Sequence, residues 1–464
     1  MRPSTFLVPF IVVLVSMSCT ERSGEDGLSD TREVRSPLVG RGARADVTHD
    51  AVVTVRTMGT SLCSGTIVRR NDKGDSLFVL TAAHCCRSSS PPRKILIGAD
   101  YADPVLALPV TDFQPHPCYN PLSNDYDFCV LEVPDKGELN ITPIPLAEGP
   151  DGLAPGDAVT VVGFGSTPAS NTIRRRAEAR LAEVGPLAIA IDQRDNRPGI
   201  CFGDSGGPVL INQGGREVVA GVVSFGAPSA LCNIVGAAER VTFQGVRDAF
   251  LETVFSGGKA VLEQVLVRRD GPTPGPVRDT YLSAAAPDRS FGSQVDLLVG
   301  TPSDEDAQHR TLMHFDVSGI PKGATLLTAR MGMHMESKTG RARVFLHRVT
   351  QDWDEHQETW SSFGRAGFDP SPFIEVDNSS IVVSGTEEMW FDLTKLVESW
   401  GSGKVPNRGI MLRSPDDEQT QFLSSEIGRI MDRPWMSICY LPAQSSPAPS
   451  PPAKSAVKPA AKKE

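Results

Sequence analysis

Between Leu38 and Val254 the apolar residues come in short runs broken by Gly, Pro, Asn and Asp. "AVVTV", "SLFVLTAAH", "KILIGA", "DFCVLEV", "AVTVVGFG" and "EVVAGVVSFG" have strand length and are flanked by turn residues, which predicts strands. The period changes near the end of the region. Val241, Phe243, Val246, Phe250 and Leu251 fall roughly at helical spacing and predict a closing helix. Many short strands with turn signals between them predict a barrel or a sandwich. Residues 279–442 repeat the pattern with "TLLTARMGMHM", "RARVFLHRV", "SIVVSG" and "GIMLRS" as strands. "FDLTKLVESWGSG" reads as a short helix that Gly401 is placed to end. The expected fold class is all-β.

Breaks in the pattern divide the chain, whose 464 residues suit roughly two or three domains. Residues 1–18 read as a signal peptide: Arg2 precedes an apolar run, Phe6 to Val15, too short to span a bilayer and interrupted by Pro9. Ser18 before Cys19 resembles a bacterial lipoprotein cleavage site, with Cys19 the lipidated first residue of the mature chain; an ordinary secretory signal is the alternative. Both lead out of the cytoplasm, to a cell-surface or outer-membrane lipoprotein or to a secreted protein. Membrane contact is expected only through the lipid. Residues 19–37 are polar and read as a tether or propeptide, 38–258 as the first domain, and 259–278, with "RRDGPTPGPVRD", as a linker. Residues 279–442 form the second domain, and 443–464 a disordered Pro/Ala/Lys tail.

Composition narrows the function classes. At 40% hydrophobic and 22% charged residues the chain can bury a core, and a net charge of −10 implies no basic face for nucleic acid. Export turns the nine cysteines into disulfide candidates, and eight of them precede residue 240. No Cys or Cys/His set has zinc spacing, so neither a metal nor a cofactor is expected.

The candidate chemistry lies in "GICFGDSGGPVL", Gly199 to Leu210, where Asp204 and Ser205 stand among glycines. A tight turn accounts for the glycines. So does a nucleophile, because a serine hydroxyl attacks a carbonyl when a base takes its proton and close backbone N–H groups receive the oxyanion. The second reading demands a histidine and a carboxylate elsewhere. His84 ends the run "SLFVLTAAH", and Asp127 immediately precedes the apolar strand Phe128 to Val133; Asp125 is the competing acid.

With "LTAAHC", "DFCVL" and "GDSGGP" in that order, residues Leu38 to Val254 resemble the chymotrypsin/trypsin-like serine proteases. The resemblance implies a two-barrel domain in which Ser205 is the nucleophile, His84 the base and Asp127, whose following residues fit the family pattern, the acid that orients it. The N–H groups of Gly203 and Ser205 would form the oxyanion hole. Gly199, Ile200, Ser224, Phe225, Gly226 and Gly236 would line the substrate pocket, with Gly226 and Gly236 leaving its entrance open. Trypsin-like members carry an acid where this chain has Gly199, so cleavage after uncharged, small to medium apolar residues is expected, and after large aromatics only if Ile200 turns away. Asp192 and Asp195 are the nearby acids that could reverse this by turning inward. The resemblance also implies disulfides Cys63–Cys85 and Cys201–Cys232, with Cys86–Cys118 a third guess, Cys129 a buried free thiol and Cys439 without a partner. Family members mature by releasing an amine that pairs with the acid beside the serine. Here Leu38 in "SPLVGRG" would pair with Asp204, although Pro37 stands where a Lys or Arg is usual.

Residues 279–442 resemble the DNRLRE-type modules through "DTYLSAAAPDRSFGSQVDLLVG", "TLMHFDVSGIPKGATLLTARM", "DWDEHQETW", "FDLTKLVESWGSG" and "GIMLRS". These are jelly-roll-like β-sandwiches, some of which bind polysaccharide. All five tryptophans, Trp353, Trp360, Trp390, Trp400 and Trp435, lie here, and core packing is the favoured role for each. Two functions follow. One is an exported serine endopeptidase acting on protein or peptide, with an accessory module for surface polysaccharide. The other is a surface adhesion or glycan-binding protein with a non-catalytic protease-like scaffold.

Overall fold

The computed structural model describes residues 44–443 except 59–61, 136, 138, 166–171, 227–231, 233–234, 271–275, 303–306, 339–342, 365–366, 378–387 and 417. The expected signal peptide, Cys19, Leu38, the strand "SIVVSG" and the tail from residue 444 lie outside the described residues.

The first half folds as two antiparallel sheets of seven strands each. In the first, Val52–Thr57, Leu62–Arg70, Ser76–Thr81 and Cys129–Pro134 pair in succession, flanked by Pro92–Ile97 with Leu106–Pro109 and by Asp112–Pro115. Val52, Val55, Ile67, Leu80 and Leu131 fill its interior, the β-branched and aliphatic positions that the sequence runs supplied. In the second, six strands close on themselves. Ala158–Gly163 pairs with Arg175–Val184, and the ladder continues through Ala188–Asp192, Val235–Arg240, Arg216–Gly226 and Pro208–Gln213 back to Ala158–Gly163. Closure leaves no free edge among these six. The expected helix follows as Gln244–Val246, Arg247–Leu251 and Glu252–Phe255. It buries Val246, Phe250, Leu251 and Val254 against the first barrel.

Downstream, two sheets share the long strand Thr325–Lys338 and enclose a second core built on Met331, Phe391, Met436, Leu297, Phe315 and Phe422. The expected linker contains a strand: Glu263–Arg268 pairs along its whole length with Trp435–Leu441. The second fold therefore begins inside 259–278, where the Pro/Gly-rich neighbour had masked a short alternating run. The helix Thr394–Gly401 includes the glycine expected to end it, and the left-handed turn falls on Gly403, φ 71°.

Among the described residues four disulfides are formed. Cys63–Cys85 and Cys201–Cys232 are as the resemblance implied, but Cys86 bonds Cys129 and Cys118 bonds Cys439. The register places Cys129 opposite Thr81, directly beneath the turn that carries Cys86, so its inward face meets a partner rather than a cavity. Cys118–Cys439 spans 321 residues and ties the module to the first barrel.

Candidate active site

The short turn Ala83–Cys86, stapled by two disulfides, carries His84. Its backbone N–H donates to Asp127 Oδ1 at 2.8 Å and its Nδ1 lies 2.6 Å from Oδ2. Asp127 is fully buried, and Ser224 Oγ donates to the same Oδ2 at 2.5 Å. Left-handed residues at Asn124 and Tyr126, both at φ 58°, bend the chain so that Asp127 points at His84. Asp125 turns elsewhere, accepting from Ser123 Oγ at 2.6 Å and pairing with Arg330. A buried carboxylate against Nδ1 favours the tautomer protonated at that nitrogen, which puts the ring's lone pair on Nε2.

Ser205 sits on a turn that glycine makes possible. Gly203 and Gly206 adopt φ of 98° and 84°, and a Cβ on Gly206 would stand 2.1 Å from Thr81 Oγ1. Ser64 N–H donates to the Ser205 carbonyl at 2.8 Å, Ser64 Oγ to the Gly203 carbonyl at 2.9 Å, and Gly206 N–H to the Val223 carbonyl at 2.7 Å. The turn is thus wedged between Thr81, on the strand leading to His84, and Val223, beside the serine that holds Asp127. The N–H groups of Asp204, Gly206 and Gly207 all donate to backbone carbonyls, whereas among the described residues those of Gly203 and Ser205 donate to none. The two N–H groups beside the Ser205 hydroxyl therefore keep their donor capacity for an acceptor other than these carbonyls.

The Asp204 carboxylate sits in a cradle of backbone that sequence reading missed. It accepts from Gly165 N–H at 2.8 Å and Cys201 N–H at 2.9 Å. Cβ atoms on Gly163 and Gly165 would each lie 2.3 Å from one of its oxygens, so "GFG" was the available signal. Complete burial pushes the Asp204 pKa up to about 7, with the two N–H donors and Arg175 drawing it partly back. Glu239, which sequence reading did not assign, accepts from Tyr126 N–H at 3.0 Å. Burial first, and then repulsion from Asp125 and Asp127, hold it well above the usual carboxylate range.

The space over two of the expected pocket glycines, Gly199 and Gly236, is filled. Ile200 and the Gln193 side chain cover the space over Gly236, where a Cβ would meet Ile200 Cγ1 at 2.3 Å and Gln193 Oε1 at 2.4 Å. Gln193 also overlies Gly199 and is fixed there by donating to the carbonyls of Ile200 at 2.9 Å and Cys232 at 2.7 Å. Gly236 therefore accommodates the chain's own side chains instead of opening an entrance. The nearby acids do not turn in: Asp192 pairs with Arg194 and Arg197, and Asp195 is exposed. The backbone of Phe225 and Gly226 continues the strand beside Ser224.

Among the described residues, two clusters with metal-like proximity are otherwise engaged. Cys63 and Cys85 near His84 are bonded to each other, and Asp279, Glu355 and Glu426 in the module surround Arg269, which pairs with both glutamates. Trp353, Trp400 and Trp435 are buried, and Trp360 and Trp390 are half-buried beneath Arg310 and Arg330.

Comparison with known proteins agrees with this division. Residues 39–246 match the Trypsin family model, and residues 273–437 match carbohydrate-binding module family 96. Trypsin alpha-4 of Lucilia cuprina is 27% identical over 248 residues, covering 50% of this chain and 92% of that protein. Granzyme B of Homo sapiens is 29% identical over 185 residues, 35% of this chain and 70% of that protein. Among solved structures, human heparin binding protein aligns with a TM-score of 0.37 at 22% identity, covering 44% of this chain and 92% of its own.

Proposed function

We propose that this chain, in which a trypsin-family serine protease domain precedes a family-96 carbohydrate-binding module, is an exported serine endopeptidase that hydrolyses peptide bonds through Ser205, His84 and Asp127. The observation that supports it most is the undonated N–H pair of Gly203 and Ser205 on a turn held against the His84–Asp127–Ser224 chain. In this reading Ser205 Oγ attacks the carbonyl carbon while His84 Nε2 takes its proton. The C=O electrons move onto oxygen, which the two N–H groups receive. The oxyanion then collapses, and His84 returns the proton to the departing amine. Water repeats the sequence on the acyl-enzyme.

Burial supports the rest of the proposal. Ile200 and Gln193 fill the space over Gly199 and Gly236 without adding charge, and in this reading a Lys or Arg side chain entering there would be desolvated without a partner. Small uncharged residues on the acyl side of the cut are expected to dominate a peptide-library profile, and Ile200→Ala is expected to raise relative kcat/KM for larger aliphatic residues by about tenfold or more. A profile led by Arg or Lys overturns this assignment. Four disulfides fit an oxidising, extracytoplasmic location. We keep Cys19 as a lipid anchor and a surface polysaccharide as the module's ligand, in line with its DNRLRE-type resemblance, as parts of the same proposal.

The pairing of a released Leu38 amine with Asp204 has a pH signature. A carboxyl whose folded pKa is raised contributes most stability at low pH and loses it as pH rises toward about 7. In the uncleaved chain, Tm measured against that of Asp204→Asn is therefore expected to fall between roughly pH 4 and 8. In chain cleaved before Leu38, the ammonium cancels that slope. Parallel slopes in both forms would rule out the pairing.

A further inference from the structure

The strand Thr325–Lys338 presents two faces. Ala329, Met331 and Met333 point into the module's core, while Thr328 and Arg330, two residues apart, point out of it toward the protease domain. They land on the two residues that precede Asp127. Arg330 donates to Asp125 Oδ1 in an ion pair, and Thr328 Oγ1 shares a 2.9 Å hydrogen bond with the Tyr126 hydroxyl. Tyr126 is one of the two left-handed residues that aim Asp127, and its ring stacks on His116 with centroids 4.6 Å apart. The Cys118–Cys439 bond closes the same contact from the side, reinforced by Gln264 Nε2 donating to the Cys118 carbonyl at 2.9 Å.

We propose that Arg330, supplied by the carbohydrate-binding module, is a positioning residue for the protease: it holds the Asn124–Asp127 bend in place and balances the cluster of acids behind His84. This rests on the reading of Asp127 as the acid that orients His84.

Asp125, Asp127 and Glu239 converge behind the imidazole, and Arg330 is the cation that acts on both Asp125 and Glu239. Tyr119, acted on by Asp127, Glu239 and Arg87, Tyr126, and His116, which burial pushes down to about 3 against the Tyr126 ring, also face this contact, and Glu388 lies beside it, accepting from Trp390 Nε1 at 3.1 Å. A strained bend costs free energy and persists only when its surroundings fix it. Here those surroundings come from a different domain. Arg330 also stacks over Trp390, 5.1 Å from the ring centroid, in the wall of an interdomain cleft of about 1230 Å³. The pair therefore keeps some solvent contact.

Removing the guanidinium leaves more uncompensated negative charge near His84, which favours the imidazolium. In full-length Arg330→Gln, kcat on a peptide substrate is expected to fall about 10- to 100-fold with KM within about twofold, and the acid limb of the kcat/KM profile to move to higher pH. Arg330→Lys restores part of kcat. Arg330→Gln combined with Asp125→Asn returns the acid limb toward its original position, because both charges are gone. Thr328→Val, which touches only the Tyr126 bond, lowers kcat without moving the limb, and serves if Arg330→Gln does not fold. A wild-type kcat, KM and pH profile in Arg330→Gln, or a wild-type kcat in Thr328→Val where the first variant is unfolded, overturns the inference. Failure of the wild-type chain to react with a fluorophosphonate would instead count against the serine-protease reading itself.

Discussion

Replacing Ser205 with Ala is expected to lower peptide turnover by several orders of magnitude, on the order of a million-fold as in a comparable triad. In the proposed mechanism the fall is that large because the His84–Asp127–Ser224 chain has no other oxygen to activate. With the hydroxyl gone, the base has no nucleophile to activate, and the N–H pair of Gly203 and Ser205 retains only its capacity to polarise a bound carbonyl. The substitution removes one atom at a position whose carbonyl, not whose side chain, anchors the turn to Ser64, so the fold is expected to be unaffected. Steady-state hydrolysis of an unselected peptide mixture, with unfolding followed in parallel, separates the two. Near-normal turnover in Ser205→Ala would place the chemistry elsewhere.

The second large effect concerns stability. Gly165→Ala puts a Cβ 2.3 Å from Asp204 Oδ2, 2.7 Å from its Cγ and 2.8 Å from Oδ1. The carboxylate has nowhere to move, since Gly163 closes the other side and both oxygens are held by the N–H groups of Gly165 and Cys201. Displacing it strands a buried polar group and its donors, which costs about 3–5 kcal/mol by analogy with other broken buried networks. The loop from Cys201 to Ser205 would shift with it, so activity and Tm are expected to drop together. A Gly165→Ala protein that melts with the wild type would mean that the cradle relaxes freely.

Local sequence carried a good deal of this, and the reason is physical. "LTAAHC", "DFCVL" and "GDSGGP" each encode a strand end, a turn and a reactive group within a few residues. The glycines of the last are demanded by left-handed backbone at Gly203 and Gly206. The alternation of the strand runs likewise announced both β-rich halves. Long-range geometry was illegible. Nothing near Cys129 says that it meets Cys86, because that depends on the register of Ser76–Thr81 against Cys129–Pro134. Cys118 and Cys439 meet only once two domains have packed. Nothing near Gly236 says that Ile200 and Gln193 fill the space above it, because that depends on how their loop folds back over the strand. The same limit hid Arg330: on the strand it is one polar position in an alternating run, and its role exists only where that face meets Asp125.

The central claim is that Ser205 is an activated nucleophile, and covalent labelling tests it most directly. The full-length protein should be treated with a fluorophosphonate, digested, and analysed by mass spectrometry. The account predicts a single adduct on the peptide containing Ser205, lost in Ser205→Ala and strongly slowed in His84→Ala. No adduct, or an adduct that persists when Ser205 is replaced, would contradict it and leave the protease-like half as a scaffold.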